Sequence, residues 1–131
     1  MPVKVFDMKA DDRALMSLKS TPDIIVDAIY GTGFKGKLKG CGLKASIYIN
    51  KHALGGSGKK SLVFAIDIPS GMGGDVTSEK NLDTNCIIAD FTVIFHAKKP
   101  VHLQDFAKKF CGEMVVADIG IDEEKLWNVE I

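Results

Sequence analysis

Leu62-Val63-Phe64-Ala65-Ile66 is apolar at every position and stops abruptly at Asp67-Ile68-Pro69-Ser70-Gly71. A run with no polar side reads as a strand buried on both faces, and an acid followed by Pro-Ser-Gly reads as a sharp turn at its end. The pattern recurs. Asp23–Ile29, Phe91–Phe95 and Glu113–Ile119 are further strand candidates, and a short one covers Val3–Phe6. Helical spacing falls between them, at Asp11–Lys19, Leu43–Leu54 and Gln104–Phe110, although Ile47-Tyr48-Ile49 also suits a strand. Strands apolar on both faces and separated by helices predict an α/β domain with a parallel sheet covered on each side.

Composition narrows the function classes. The 131 residues are one domain's worth, and 46% hydrophobic with 26% charged is a globular balance. Seventeen basic and seventeen acidic residues cancel. A nucleic-acid binder that neutralises phosphates carries a basic excess, so no nucleic-acid partner is expected. The longest apolar stretches fall far short of the roughly 18 residues of a membrane span, so no membrane partner is expected either. Met1-Pro2-Val3-Lys4 lacks the basic-then-apolar pattern of a signal peptide. Cys41, Cys86 and Cys111 are odd in number and widely spaced, which suits reduced thiols in a cytoplasmic protein better than a disulfide frame or a zinc site.

Right-handed crossovers point all parallel strands the same way, so their carboxyl ends share one rim, where ligands of open sheets bind. Four strand ends meet there: Gly31-Thr32-Gly33-Phe34-Lys35-Gly36, Asp67-Ile68-Pro69-Ser70-Gly71, His96-Ala97-Lys98-Lys99-Pro100, and Asp118-Ile119-Gly120. Gly31, Gly33 and Gly36 fit the dinucleotide fingerprint, but Lys37-Leu38-Lys39-Gly40-Cys41-Gly42 continues as loop where a helix should open. A loop over a phosphorylated ligand, with Lys35 or Lys37 nearby, and a long mobile connection are the two readings left. Asp27 lies inside an apolar strand, and a buried charge needs a partner or a cation. Oxygen donors such as Asp27, Ser70 and backbone carbonyls suit a hard cation. His96 reads as a general acid or base, or as a rim residue with a local hydrogen bond. His52 and His102 read as surface residues and Trp127 as a tail anchor. Gly55–Lys60 is a loop tip, without the helix a phosphate-gripping loop must open.

Asp23–Phe34, Ala65–Gly71, Ala89–Val93, Lys99-Pro100 and Val115–Ile121, taken in order, resemble the YjeF N-terminal domain, the family of NAD(P)H-hydrate epimerases. The resemblance implies a Rossmann-like three-layer α/β/α fold, with a mainly parallel sheet of about five strands. It also implies R-to-S epimerisation at C6 of hydrated NADH or NADPH. A companion ADP/ATP-dependent dehydratase of ribokinase-like fold, fused or separate, then restores the cofactor. Carried over, Asp27 and Ser70 hold a potassium ion, Gly31, Thr32, Gly33, Phe34, Lys35, Gly36 and Lys37 line the substrate site, and Asp67 binds or acts on the substrate.

The family also carries an Asn-Asn-Gly-Gly-Asp loop and two strands ahead of the matched region. Residues 1–131 therefore read as a single domain, incomplete at its amino end. Gly73-Gly74-Asp75 is no substitute, because it follows the Pro-Ser-Gly turn and lacks the asparagines. An edge without its neighbour predicts a homodimer, with Val3–Phe6 moved inward to pair with Asp23–Ile29. Two other classes stand beside the epimerase: a non-catalytic binding or scaffold domain, and a nicotinamide-binding oxidoreductase domain.

Overall fold

The computed structural model describes residues 2–5, 13–56 and 58–127. Four strands, β1 (Ile24–Asp27), β2 (Leu62–Ile66), β3 (Phe91–Phe95) and β4 (Glu113–Ala117), lie side by side in chain order, and every pairing is parallel. This is the Rossmann-like α/β arrangement expected, with four strands where about five were anticipated. Helix α1 (Gly40–Ala53) joins β1 to β2, α2 (Ala107–Cys111) leads into β4, and α3 (Glu123–Trp127) follows it.

Register decides which side chains share a face. Asp27, Ala65, Thr92 and Met114 are linked through successive partners, and Ile25 pairs with Val63 one layer back on the same face. Ala45, Ile49 and Ala53, spaced by four on α1, form one apolar stripe. Ile49 and Ala53 pack onto Val63 and Ala65 together with Ile87 and Ala89. The segment carrying Ile87 is held by Asn50, whose side-chain oxygen accepts the Ile88 N–H at 2.9 Å while its amide donates to the Cys86 carbonyl at 3.0 Å. A second cluster, centred on Ile68, Met72, Val101 and Ala107, includes the buried Cys86 and Cys111. Burial pushes both thiols up, Cys111 to about 11, so neither has the thiolate character of a reactive cysteine. Gly112 makes the turn from α2 into β4 at φ +61°, where a Cβ would stand 2.0 Å from the Asp90 carbonyl oxygen; only glycine fits.

All of this packing lies on one face. Successive right-handed crossovers that always step in the same direction place every connection on the same side of a sheet. The opposite face is therefore bare among the described residues. Val26 is 58% exposed and Val115 51%, and Ile24, Leu62 and Phe95 are exposed beside them. Half-buried Phe64 and Phe91 stack there with ring centroids 5.0 Å apart. The helical layer expected on that side is not found among the described residues.

The amino end also departs from expectation. Val3, Lys4 and Val5 are irregular and exposed, Phe6 lies outside the described residues, and among the described residues no strand at the amino end pairs with β1. The helix expected over Asp11–Lys19 is a single 3-10 turn, Ala14–Ser17, with Asp11 and Asp12 outside the described residues. Ser17 Oγ–H donates to the Ala14 carbonyl at 2.6 Å, a local bond that competes with continuing the helix. No helix among the described residues is long and apolar enough to cross a membrane.

Candidate functional site

Each strand ends in a loop at the same rim, and two of those ends are strained. Asp67, directly after β2, has φ +68°, and His96, directly after β3, has φ +64°. They are the non-glycine residues in the left-handed region among those described, and such conformations persist only where neighbours enforce them. Asp67 is enforced from four directions. Its N–H donates to the Val93 carbonyl at 2.7 Å. Its Oδ1 accepts the Phe95 N–H at 3.1 Å and the Lys99 ammonium at 2.5 Å. Its carbonyl meets His102 Nε2 at 3.0 Å. Among the described residues Oδ2 accepts no bond, which leaves it open to a ligand. His96 instead pairs with Glu123 at 2.8 Å, a local rim contact.

Beside this, at the end of β1, Asp27 is 1% exposed and Ser70 wholly buried. Ser70 meets the carboxylate twice, its N–H donating to Oδ2 at 2.7 Å and its hydroxyl to Oδ1 at 2.6 Å. The Ser70 hydroxyl in turn accepts the Tyr30 N–H at 3.0 Å. Burial pushes the Asp27 carboxyl above its ordinary value, and the bonds from Ser70 and Ile29 pull it back. Two buried oxygen atoms 2.6 Å apart, one of them a carboxylate that burial pushes above its ordinary value, are of the ligand type a hard cation takes. Gly71 completes the turn at φ +98°, with the Cys86 Cα 2.8 Å from where a Cβ would stand.

The glycine loop after β1 lines two adjoining cavities. One, of about 270 Å³, has Thr32, Phe34, Lys35 and Gly36 on one wall and Asp75 and Thr77 on the other. The second, of about 440 Å³, takes in Gly31, Gly33, Lys35 and Lys37. All seven residues Gly31–Lys37 are thus gathered on one cleft. Asp67, Asp27 and Ser70 lie outside the lining of both cavities. The far end of the loop is anchored by Asp83, whose carboxylate accepts the Leu38 N–H at 2.8 Å and the Asn85 N–H at 2.7 Å.

The family described as YjeF-related protein N-terminus matches residues 2–101. The chain belongs to the YjeF N-terminal family. It is 36% identical over 101 residues to a bifunctional NAD(P)H-hydrate repair enzyme Nnr of Archaeoglobus fulgidus, covering 77% of this chain and 19% of the relative. NAD(P)H-hydrate epimerases of Roseobacter litoralis and Nitrosopumilus maritimus are 34% and 35% identical over 100 and 105 residues. Those matches cover 76% and 79% of this chain and 40% and 42% of the relatives. The chain thus spans about a fifth of the first relative's length and about two-fifths of the other two.

In this YjeF N-terminal chain, several placements escaped the sequence reading, His52 away from the rim and the others on it. His102 and His52, expected at the surface, are 3% and 8% exposed. His102 sits in the 3-10 turn Pro100–Leu103 with Val101 packed in the core, and His52 lies on α1 between Ile49 and Ala53, which face the sheet. Lys99 was visible as a rim lysine but not as the partner of Asp67. The wall from Gly73 to Thr77 carried no signal beyond its glycines. The Trp127 side chain lies outside the described residues.

His102 gives the site a pH dependence. Burial is the main reason it is held below its ordinary value of 6.5; Lys99 and Lys98 act the same way, against the Asp67 carbonyl and carboxylate. A base with a lowered folded pKa binds fewer protons folded than unfolded. Its contribution is therefore complete above about 6.5 and declines as pH falls below that value. Thermal melting between about pH 8 and about pH 5 should reveal this loss on the acid side. His102→Gln should flatten it, and an unchanged slope would assign the loss to another group.

Proposed function

We propose that this domain belongs to an NAD(P)H-hydrate epimerase module, which interconverts the R and S forms at C6 of hydrated NADH or NADPH. The observation that carries the reading is Asp67, a strained carboxylate at a strand end with one oxygen fixed and the other open, in a chain whose relatives bear that name. The reacting carbon bears a hydroxyl beside the ring nitrogen, so its configuration inverts by loss and return of water. The departing hydroxyl needs a proton and the returning water needs a base, and Asp67 Oδ2 serves both steps. Gly31–Lys37 line the dinucleotide site, where Lys35 and Lys37 would meet its phosphates. Asp27 and Ser70 would hold a potassium ion, whose charge offsets the buried carboxylate.

A dehydratase, fused or separate, would be the partner that takes the S epimer onward. The three free thiols support a cytoplasmic setting, and the bare sheet face supports a homodimer.

Asp67→Asn in the full-length protein should lower kcat for epimerisation by roughly 100-fold or more while the melting temperature holds. A variant as fast as the parent would remove Asp67 from the chemistry.

Potassium chloride should raise the melting temperature of the full-length protein above that in an equal concentration of tetramethylammonium chloride, since binding to the folded state stabilises it. Asp27→Asn should shrink the difference, and equal temperatures in both salts would leave the cation site without support.

Sedimentation of the chain at micromolar concentrations should depend on concentration, and Val26→Lys on the bare face should reduce the association. A monomer at every concentration would exclude the homodimer.

A further inference from the structure

Lys99 and Asp67 are 32 residues apart, and one imidazole touches the backbone of both. The Lys99 N–H points at His102 Nδ1, 2.9 Å away, and His102 Nε2 lies 3.0 Å from the Asp67 carbonyl oxygen. A backbone N–H only donates and a carbonyl oxygen only accepts. Nδ1 must therefore carry the lone pair and Nε2 the proton, so the contacts themselves select one neutral tautomer.

We propose that His102 is a positioning residue for the Asp67 carboxylate. The proposal rests on the epimerase reading above, in which Asp67 moves the protons. Three bonds make a closed circuit, Asp67 carbonyl to His102 Nε2, His102 Nδ1 to Lys99 N–H and the Lys99 ammonium back to Asp67 Oδ1, and the ammonium also donates to the Phe95 carbonyl at 2.8 Å. Asp67 is strained at φ +68°, and among the described residues His102 is the side chain that holds its carbonyl. Releasing that bond frees the peptide after Asp67 to relax, which turns the carboxylate away from the position set by Phe95 and Lys99. Both ring nitrogens are occupied and the residue is buried, so His102 acts through Asp67 and does not meet substrate.

The construction begins with Pro100. Its fixed φ starts the 3-10 turn Pro100–Leu103 directly after Lys99, and that turn brings residue 102 back onto the Lys99 N–H. A proton on Nδ1 would set two donors against each other and place a cation beside Lys99 and Lys98. The circuit is therefore built for the neutral ring.

Two amide substitutions separate the two arms. The Gln amide nitrogen can stand where Nε2 stood and donate to the Asp67 carbonyl, whereas the Asn amide oxygen can replace only the Nδ1 acceptor. In steady-state epimerisation by the full-length protein, His102→Ala should lower kcat about tenfold, the worth of one ordinary hydrogen bond, with KM little changed. His102→Gln should recover most of kcat, and His102→Asn should stay near the alanine variant. Nitrogen-detected imidazole NMR of the unmutated protein at neutral pH should find the proton on Nε2 and the lone pair on Nδ1, a readout that needs no variant to fold. A kcat unchanged in His102→Ala, a glutamine variant as slow as alanine, or an Nδ1–H or doubly protonated ring would each overturn the positioning role. An unmutated protein without epimerase activity would instead overturn the reading beneath it.

Discussion

Asp27 and Ser70 are 43 positions apart in the chain, and the rim exists because they meet. A carboxylate buried at the end of a strand demands donors, and the turn after β2 supplies two of them from one residue. That demand fixes where the Pro69-Ser70-Gly71 turn must sit relative to β1. Tyr30 then hangs its N–H on the same hydroxyl, so the glycine loop starts from a defined point. Its other end is tied by Asp83. Between these two anchored ends the loop keeps the freedom its glycines give it, and that combination is what a ligand-enclosing loop needs.

The fold was legible in proportion to how local its causes are. The runs Leu62–Ile66 and Phe91–Phe95 became strands with unchanged boundaries, because short runs rich in apolar and β-branched residues and ended by a turn leave few alternatives. Helix α1 was legible from its spacing, though it starts three residues earlier than expected, at Gly40. The bare face was not legible. Apolarity on both sides of a strand announces that both sides want cover, but only the strand order tells which side the connections take. Val3–Val5 shows the same limit from the other direction: alternating apolar residues do not by themselves place a segment on the free edge of β1.

At the candidate site, the placement of polar and glycine residues at strand ends was readable. Gly31–Lys37 do share one cleft, and Asp27 does meet Ser70. The histidines were unreadable for a physical reason. Lone His52 and His102 have charged and polar neighbours in sequence, such as Lys51 and Gln104, that suggest solvent, while their burial comes from elements far along the chain. The Lys99 pairing depends on the backbone of Asp67 taking a left-handed conformation, which no residue type at that position announces. Strain of this kind is a property of the assembled loops.

The strand order has a consequence for how such a domain comes into being. Each strand pairs with the one that precedes it in the chain, so no strand waits for a later one to fill a gap between its neighbours. The sheet can grow at a single edge, in the direction of synthesis, with each crossover laid down on the surface already formed. Loop closure at each step spans only the distance between consecutive strands, which keeps the entropic barrier of every addition modest. The Asp27–Ser70 bonds need only β1, β2 and the turn after it, so they can form at the first such step. The Asp67 circuit must await the third strand and the turn after it, since its donors come from Phe95, Lys99 and His102. The Asp27–Ser70 contact and the Asp67 circuit can therefore be assembled in sequence, with the buried carboxylate settled before the strained one is set.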